Sequence, residues 1–250
     1  MQTKVATDKM KARKRKTIQF DILTIFPKIF DSYFSESILG RAQKNKLVEI
    51  KTFDLREFAT DRHRSVDDVP YGGGAGMVLM AEPLLRGVQQ IKNSSKILDK
   101  KTKIVVFSAK GRQFNQKIAY DWAKKYDRII LVSGRYEGID ERVVKILKAD
   151  EISIGPYVLT DGDVAAMAVV SSVARLRPGV INLKSLEEES HFITTIKDEA
   201  QKTQRKLEYP HYTRPEVVTW KGKKFVVPEV LLSGNHRKIA EWRKDNSSST

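Results

Sequence analysis

Residues Arg128 to Arg142 read RIILVSGRYEGIDER. The opening apolar run is short and rich in β-branched residues, which typifies a strand buried on both faces of a parallel sheet. Glycine-bearing loop residues follow at once, and a helical pattern, Asp140–Leu147, comes next. The same unit recurs on either side. IVVF (Ile104–Phe107) runs into FSAKGRQF and the helical pattern Asn115–Lys125. EISI (Glu151–Ile154) runs into GPYVLTDG (Gly155–Gly162) and the helical pattern Gly162–Arg175. Nearer the N-terminus, TIQFDILTIF (Thr17–Phe26) and LVEIKTF (Leu47–Phe53) read as strands. Between them lies a helix-like segment, Pro27–Lys44, opened by a proline, which is favoured at the first helical position. A further helical pattern covers Ala81–Lys92. Strands alternating with helices predict an α/β fold, a parallel sheet covered by helices. Ligands of such sheets bind outside the carboxyl ends of the strands.

Three of these strand exits carry glycine. Singly, each glycine is read most simply as an ordinary turn residue. Together, the exits predict one pocket built from backbone N–H and C=O groups. It has too few fixed cations to clamp a triphosphate and suits a neutral or cationic ligand. The most glycine-rich stretch lies elsewhere, at VDDVPYGGGAGMV (Val66–Val78), with four glycines. It fails as a dinucleotide fingerprint, because Met77 stands where the final glycine belongs and no strand runs directly into it. It fails as a Walker A loop, because no Gly-Lys-Ser/Thr follows. No serine-centred nucleophile elbow is present. Its glycines serve instead for sharp turns and close backbone approach.

The chain has 250 residues, 40% of them hydrophobic, enough for one large domain and a small appendage. Lys and Arg outnumber Asp and Glu by 46 to 31, a net charge of +15. Residues Met1–Lys16 hold seven Lys/Arg against one Asp, so six of those charges sit in an N-terminal arm and nine in the body. A basic body points to a polyanionic partner, nucleic acid before membrane. There is no cysteine, and the four histidines have no metal-ligand spacing. The apolar run Val164–Val170 is far short of the ~20 residues of a membrane span. With no secretory signal at the charged N-terminus, a cytoplasmic location is expected.

Four regions are expected: a disordered basic arm (1–16), a main domain (17–184), a flexible linker (185–206), and a short C-terminal domain (207–250). The linker contains SLEEESHF (Ser185–Phe192). The last region carries aromatics, prolines and bases, then a short basic helix. It is too small to fold securely alone.

The stretches DRHRSVDDVPYGGGAGMV, SGRYEGIDER, ISIGPYVLT, YPHYTRPEVV and VPEVLLSGNHRKIAEWR resemble the bacterial tRNA (guanine-N1)-methyltransferases. The resemblance runs from about Thr17 to Arg243. It implies the SPOUT fold, with a deep trefoil knot around S-adenosylmethionine and a small, mainly helical C-terminal domain. It also implies an obligate homodimer with sites between subunits, and tRNA methylated on the guanine at position 37. Its cofactor residues fall on Phe107, Ser108, Gly134, Tyr136, Glu137, Ile154, Gly155, Pro156, Tyr157, Val158, Leu159 and Gly162. Asp67 and Gly76, in the glycine stretch, fall where the family contacts the target guanines. Arg175 falls where an arginine lies near the guanine O6. His236 and Arg237 fall in the tRNA-binding C-terminal domain. Magnesium is a candidate additional cofactor, with no protein ligands assigned. The sequence departs from the family's usual pattern at Asp161 and Asp163 (TDGD for GGE), at Pro156 for an aspartate, and at Ala109-Lys110 for Pro-Gln. Asp161 therefore puts a side chain beside the cofactor, either to clash or to hydrogen-bond.

Guanine N1 carries a proton that must leave as a methyl arrives, so a positioned base is needed. Charge then builds on O6, where a fixed cation favours the transition state. Arg175 suits that role because its charge is permanent and its donors directional; the plainer reading is a helix-terminal cation favoured by the dipole. The family's base is an aspartate just before a Ser-Phe pair. Here Glu189 precedes Ser190, with Glu188 as fallback, and the plainer reading is a solvated acidic patch. Two alternatives stand beside an active enzyme: an RNA-binding protein of this fold with impaired catalysis, and a methyltransferase for another RNA site.

Overall fold

The structure, a computed structural model, describes residues 17–94, 101–182 and 208–247. The arm (1–16) and the whole expected linker (185–206), with Glu188 and Glu189, lie outside the described residues. The chain divides into two compact units, residues 1–182 and 183–250.

The first unit is an α/β sandwich. Five parallel strands, β1 (Ile18–Thr24), β2 (Val48–Asp54), β5 (Thr102–Gln113), β6 (Arg128–Val132) and β7 (Asp150–Ser153), pair in the order β2-β1-β6-β5-β7. All residues of β1 and β6 are buried, as in strands covered on both faces, and the polar ones among them, Gln19, Asp21, Thr24 and Arg128, are hydrogen-bonded. One face of the sheet packs against α2 (Ser37–Lys44), α4 (Gln116–Lys125) and α6 (Asp163–Ala174). The other packs against α3 (Ala81–Asn93), α5 (Glu141–Leu147) and a 3-10 turn at Leu55–Phe58.

The predicted helix Pro27–Lys44 is instead three pieces: a 3-10 turn at Pro27–Phe30, α1 (Asp31–Ser35) and α2. Ser37 adopts φ 50° at the break. A Cβ on Gly40 would lie 2.1 Å from the Ser35 carbonyl oxygen, so glycine is what lets the two helices meet so tightly. The predicted exit loop after Ile104–Phe107 also differs. The chain leaves the ladder after Phe107 and rejoins it at Arg112, both opposite Ile152. Residues 108–111 bulge outward over the sheet, and Gly111 passes the β7 backbone so closely that a Cβ would sit 2.6 Å from Ile152 N. The glycine stretch is bracketed by two short antiparallel strands, β3 (Asp67–Asp68) and β4 (Val78–Leu79), which periodicity had not revealed.

One buried ion pair ties this unit together. Asp21, in the middle of β1, bonds the Arg128 Nε at the start of β6; both are buried. Gln19 Nε2 donates to both oxygens of Asp21, at 2.9 and 3.2 Å. The Arg128 Nη2 and Nη1 donate to the carbonyls of Ile91 (2.6 Å) and Lys92 (3.3 Å) in the last turn of α3. The guanidinium thus closes the C-terminal end of a helix whose last carbonyls lack intrahelical donors.

The second unit was expected to be mainly helical. Its described part opens on a hairpin, β8 (Val217–Trp220) paired with β9 (Lys223–Val226). The turn residues Lys221 and Gly222 both have positive φ, 48° and 75°, as a type I′ turn requires. Helices α7 (Glu229–Leu232) and α8 (His236–Asp245) follow, and Asn235 Oδ1 caps α8 by accepting from Lys238 N.

Replacing Asp21 by alanine strands the Arg128 charge in the core. Chemical denaturation is expected to read a loss of about 3–5 kcal/mol.

Candidate cofactor and substrate site

The carboxyl ends of β5, β6 and β7 surround a cavity of about 450 Å³. That is within the range of small-ligand sites. Phe107 and Ser108 line it from β5, Gly134, Tyr136 and Glu137 from the β6 exit, and Ile154, Tyr157, Val158, Leu159 and Gly162 from the β7 exit. Gly155 and Pro156 do not line it. Gly155 instead accommodates the Tyr157 ring, whose carbon would come within 2.2 Å of a Cβ there. The Ser153 hydroxyl holds that turn, donating to Gly155 O at 2.8 Å.

Glycine sets how the three exits meet. Gly162 N donates to Gly134 O at 2.8 Å. A Cβ on Gly162 would lie 2.8 Å from Gly134 N and 3.0 Å from Ser133 Oγ; one on Gly134 would lie 3.4 Å from Phe107 O. The β6 and β7 exits therefore touch backbone to backbone in the cavity wall, close to the carbonyl end of the β5 ladder.

Asp161 lines the cavity, as its place in the motif implies, and four charged residues with no assigned role line it too: Lys110, Arg135, Glu141 and Glu151. Lys110 Nζ lies 2.6 Å from Glu141 and 3.6 Å from Glu151. The Glu141 hydrogen bond, then the Glu151 charge, raise the Lys110 pKa, and the same Lys110 hydrogen bond lowers that of Glu141. The ammonium is thus neutralised rather than presented to a ligand. Arg135 stacks on the Phe26 ring at 4.4 Å and bridges Asp161 and Asp163, each at 3.3 Å. The rim and wall carry more carboxylates than cations, which suits a cationic ligand and opposes a polyphosphate. Arg135 Nε and Ser133 Oγ are buried with no hydrogen-bond partner among the described residues. Arg135 stood in plain view in SGRYEGIDER; its ion pairs did not, because both partners come from a distant segment.

The glycine stretch forms the tip of the β3–β4 hairpin. Gly72, Gly73, Gly74 and Gly76 all have positive φ. The hairpin docks on the β6 exit: Leu79 N donates to Gly138 O, Asp140 N to Leu79 O, and Glu137 N to Met77 O, each at 3.0 Å. Gly76 lies against Glu137, where a Cβ would stand 2.6 Å from its carboxylate oxygen. Asp67 pairs with Leu79 at the hairpin's base. The structure thus carries the hairpin holding Asp67 and Gly76 to the cavity wall, though neither residue lines the cavity.

Arg175 is not brought there. It caps the C-terminal end of α6, while Gly162 and Ala165 at the other end line the cavity. Ten residues of α-helix separate Ala165 from Arg175, a rise of about 15 Å. His236 and Arg237 are exposed in the first turn of α8, in the second unit. Among the described residues, no group of three or more His, Asp or Glu is arranged to hold a metal ion. No helix there is long and apolar enough to cross a membrane.

A parallel sheet with a ligand-sized, acid-rimmed cavity at adjoining strand ends defines an α/β protein built to bind a small cationic or neutral molecule. Residues 18–250 match the family model described as tRNA (Guanine-1)-methyltransferase TrmD, and the chain belongs to that family. Curated relatives agree. A tRNA (guanine-N(1)-)-methyltransferase of Chloroflexus aggregans is 50% identical over 91% of this chain and 82% of its own length. That of Thermomicrobium roseum is 48% identical over 91% and 78%. That of Clostridioides difficile is 44% identical over 92% of each.

Gly162→Ala forces the β6 and β7 exits apart. Overpacking of this kind costs about 1–3 kcal/mol, so titration calorimetry is expected to read roughly 10- to 100-fold weaker S-adenosylmethionine binding.

Proposed function

We propose that this tRNA (guanine-N1)-methyltransferase uses S-adenosylmethionine to methylate N1 of the guanine 3′ of the anticodon, position 37. We also propose that it works as a cytoplasmic homodimer with the knotted SPOUT topology. The observation that carries the reading is the cavity itself: three parallel strand ends, joined through glycine, frame a site whose lining matches ten of the twelve cofactor positions implied by the family motifs. Its acidic rim, its backbone groups at Gly134 and Gly162, and the unpartnered Ser133 hydroxyl beside them fit a sulfonium-bearing nucleoside. When bound, that cofactor supplies a methyl group already activated for transfer.

The chain's own residues do the rest. The β3–β4 hairpin approaches the target base, with Asp67 accepting from a guanine N–H and Gly76 leaving room for a flipped base. A carboxylate takes the N1 proton, and Glu189 is assigned to it with Glu188 as the fallback. Arg175 stabilises the charge that develops on O6. His236 and Arg237 contact the tRNA backbone.

Two features support a dimer. Arg175 stands about a helix length from the cavity of its own chain, so a site containing both needs a second copy. Helix α6 is apolar nearly all round, which is the mark of a helix covered on every side. Yet Val164 is 46% exposed on it, beside a 3-10 turn in which Ile29 is 42% exposed.

The test is methyl transfer from labelled S-adenosylmethionine to tRNA with guanine at position 37, with adenine there as control. Transfer to guanine alone is expected. No transfer at saturating cofactor points to the impaired RNA-binding protein, and transfer indifferent to the base points to another RNA site. Repeating the assay with a chelator reads any magnesium requirement. Arg175→Ala is expected to cut the rate by roughly 10²–10³ while cofactor binding stays within a few-fold. Glu189→Gln at full rate would transfer the base role to Glu188. Below the Kd of Gly162→Ala for the cofactor, mixed dimers of Gly162→Ala and Arg175→Ala chains are expected to exceed the activity of either homodimer, because one of the two shared sites is then intact.

A further inference from the structure

Asp161 carries the most heavily used side chain in the cavity wall. It is 8% exposed, and both its oxygens are engaged. Oδ1 accepts from the backbone N–H of Asp163 (2.9 Å) and Val164 (3.3 Å), two of the orphan donors at the start of α6. Oδ2 accepts from Thr160 Oγ1 (2.9 Å) and faces Arg135 Nη2 at 3.3 Å. Arg135 is itself held against the Phe26 ring and against Asp163, which is fully buried and accepts from Thr24 Oγ1 at 2.8 Å. Four separate segments meet here: the end of β1, the β6 exit, the β7 exit and the start of α6.

The β7 exit has few other ties. Between the Ser153–Gly155 turn and the Gly162–Gly134 hydrogen bond, the side-chain hydrogen bonds are one from Tyr157 OH to Ile154 O at 3.3 Å and those of Asp161. Tyr157 and Val158, which line the cavity, are 54% and 83% exposed. A loop so exposed orders on binding at an entropic cost unless something holds it beforehand. Asp161 does not clash with the cavity; its carboxylate is directed toward α6 and Arg135.

We propose that Asp161 is a positioning residue for cofactor binding. By capping α6 and anchoring Arg135 together, it holds the β6 and β7 exits in their binding arrangement before the cofactor arrives. This rests on the reading of the cavity as the S-adenosylmethionine site.

The test uses the full-length chain and three variants, Asp161→Asn, Asp161→Ala and Asp161→Gly, with S-adenosylmethionine affinity read by calorimetry. Asparagine keeps an acceptor for the α6 amides but loses the charge facing Arg135, and a Kd rise of about threefold is expected. Alanine loses both, and the expected rise is about 10-fold or more, since an N-cap alone accounts for roughly two- to thirtyfold. Glycine is expected to behave as alanine or worse. For each variant, KM for the cofactor rises by more than kcat falls. Amide hydrogen exchange at residues 157–162 quickens in the ligand-free alanine variant and returns to the parent's rate at saturating cofactor, which a general loss of stability would not produce. If the parent chain binds no S-adenosylmethionine, the reading of the cavity fails and this proposal with it. If the parent binds and Asp161→Ala binds within twofold of it, or kcat and KM are damaged equally, the positioning role alone is wrong.

Discussion

The site depends on one close contact, the approach of Gly162 to Gly134 without intervening side chains. Close packing forbids any Cβ at Gly162, and the 2.8 Å hydrogen bond from its N–H to the Gly134 carbonyl makes that approach favourable. The β6 and β7 exits that line the cavity are joined at this junction. It sets the β7 exit against the β6 exit, which in turn carries the docked β3–β4 hairpin through hydrogen bonds at Glu137, Gly138 and Asp140. Cavity wall and docked hairpin are therefore parts of one backbone scaffold rather than independent loops.

Charge is organised to leave that scaffold neutral where it must be rigid and acidic where it meets a ligand. Arg135 is shared between two carboxylates and an aromatic face, and Lys110 is held between Glu141 and Glu151. A cation confined by acids contributes order instead of anion affinity. Deeper in the unit, Arg128 plays the same part, joining Asp21 to the end of α3. The net basic character of the chain thus resides outside the cavity, in keeping with the proposal that a polyanionic macromolecule approaches a site for a cationic small molecule.

The distance along α6 separates two parts of the chemistry. The N-terminal end of that helix belongs to the cavity, and its C-terminal end presents Arg175. A single copy builds the cavity and carries Arg175, the residue proposed to act on the guanine O6, about a helix length away from it. The proposed dimer reconciles them, and the apolar outer surface of α6 supplies the physical reason for association.

By itself, the sequence determined the parallel α/β class, the strands β1, β2, β6 and β7, and the pooling of three strand exits into one cavity. Apolar runs and glycine placement are local signals, and local signals are what a sequence displays. It also excluded the nucleotide-loop readings of Val66–Val78, since those depend on spacing. Only the tertiary structure decided the rest. The break at Ser37 follows from Gly40 meeting the Ser35 carbonyl. The bulge at 108–111 follows from a register jump against Ile152. The type I′ hairpin of the second unit puts a non-glycine residue, Lys221, at positive φ. Arg135 looks like an ordinary loop charge, and whether Asp161 clashes or bonds stays open, until the fold sets the two side by side. The bulge and the Arg135–Asp161 pair turn on contacts between residues far apart in the chain, and the break and the turn on close local backbone contacts; no periodicity or motif records either kind.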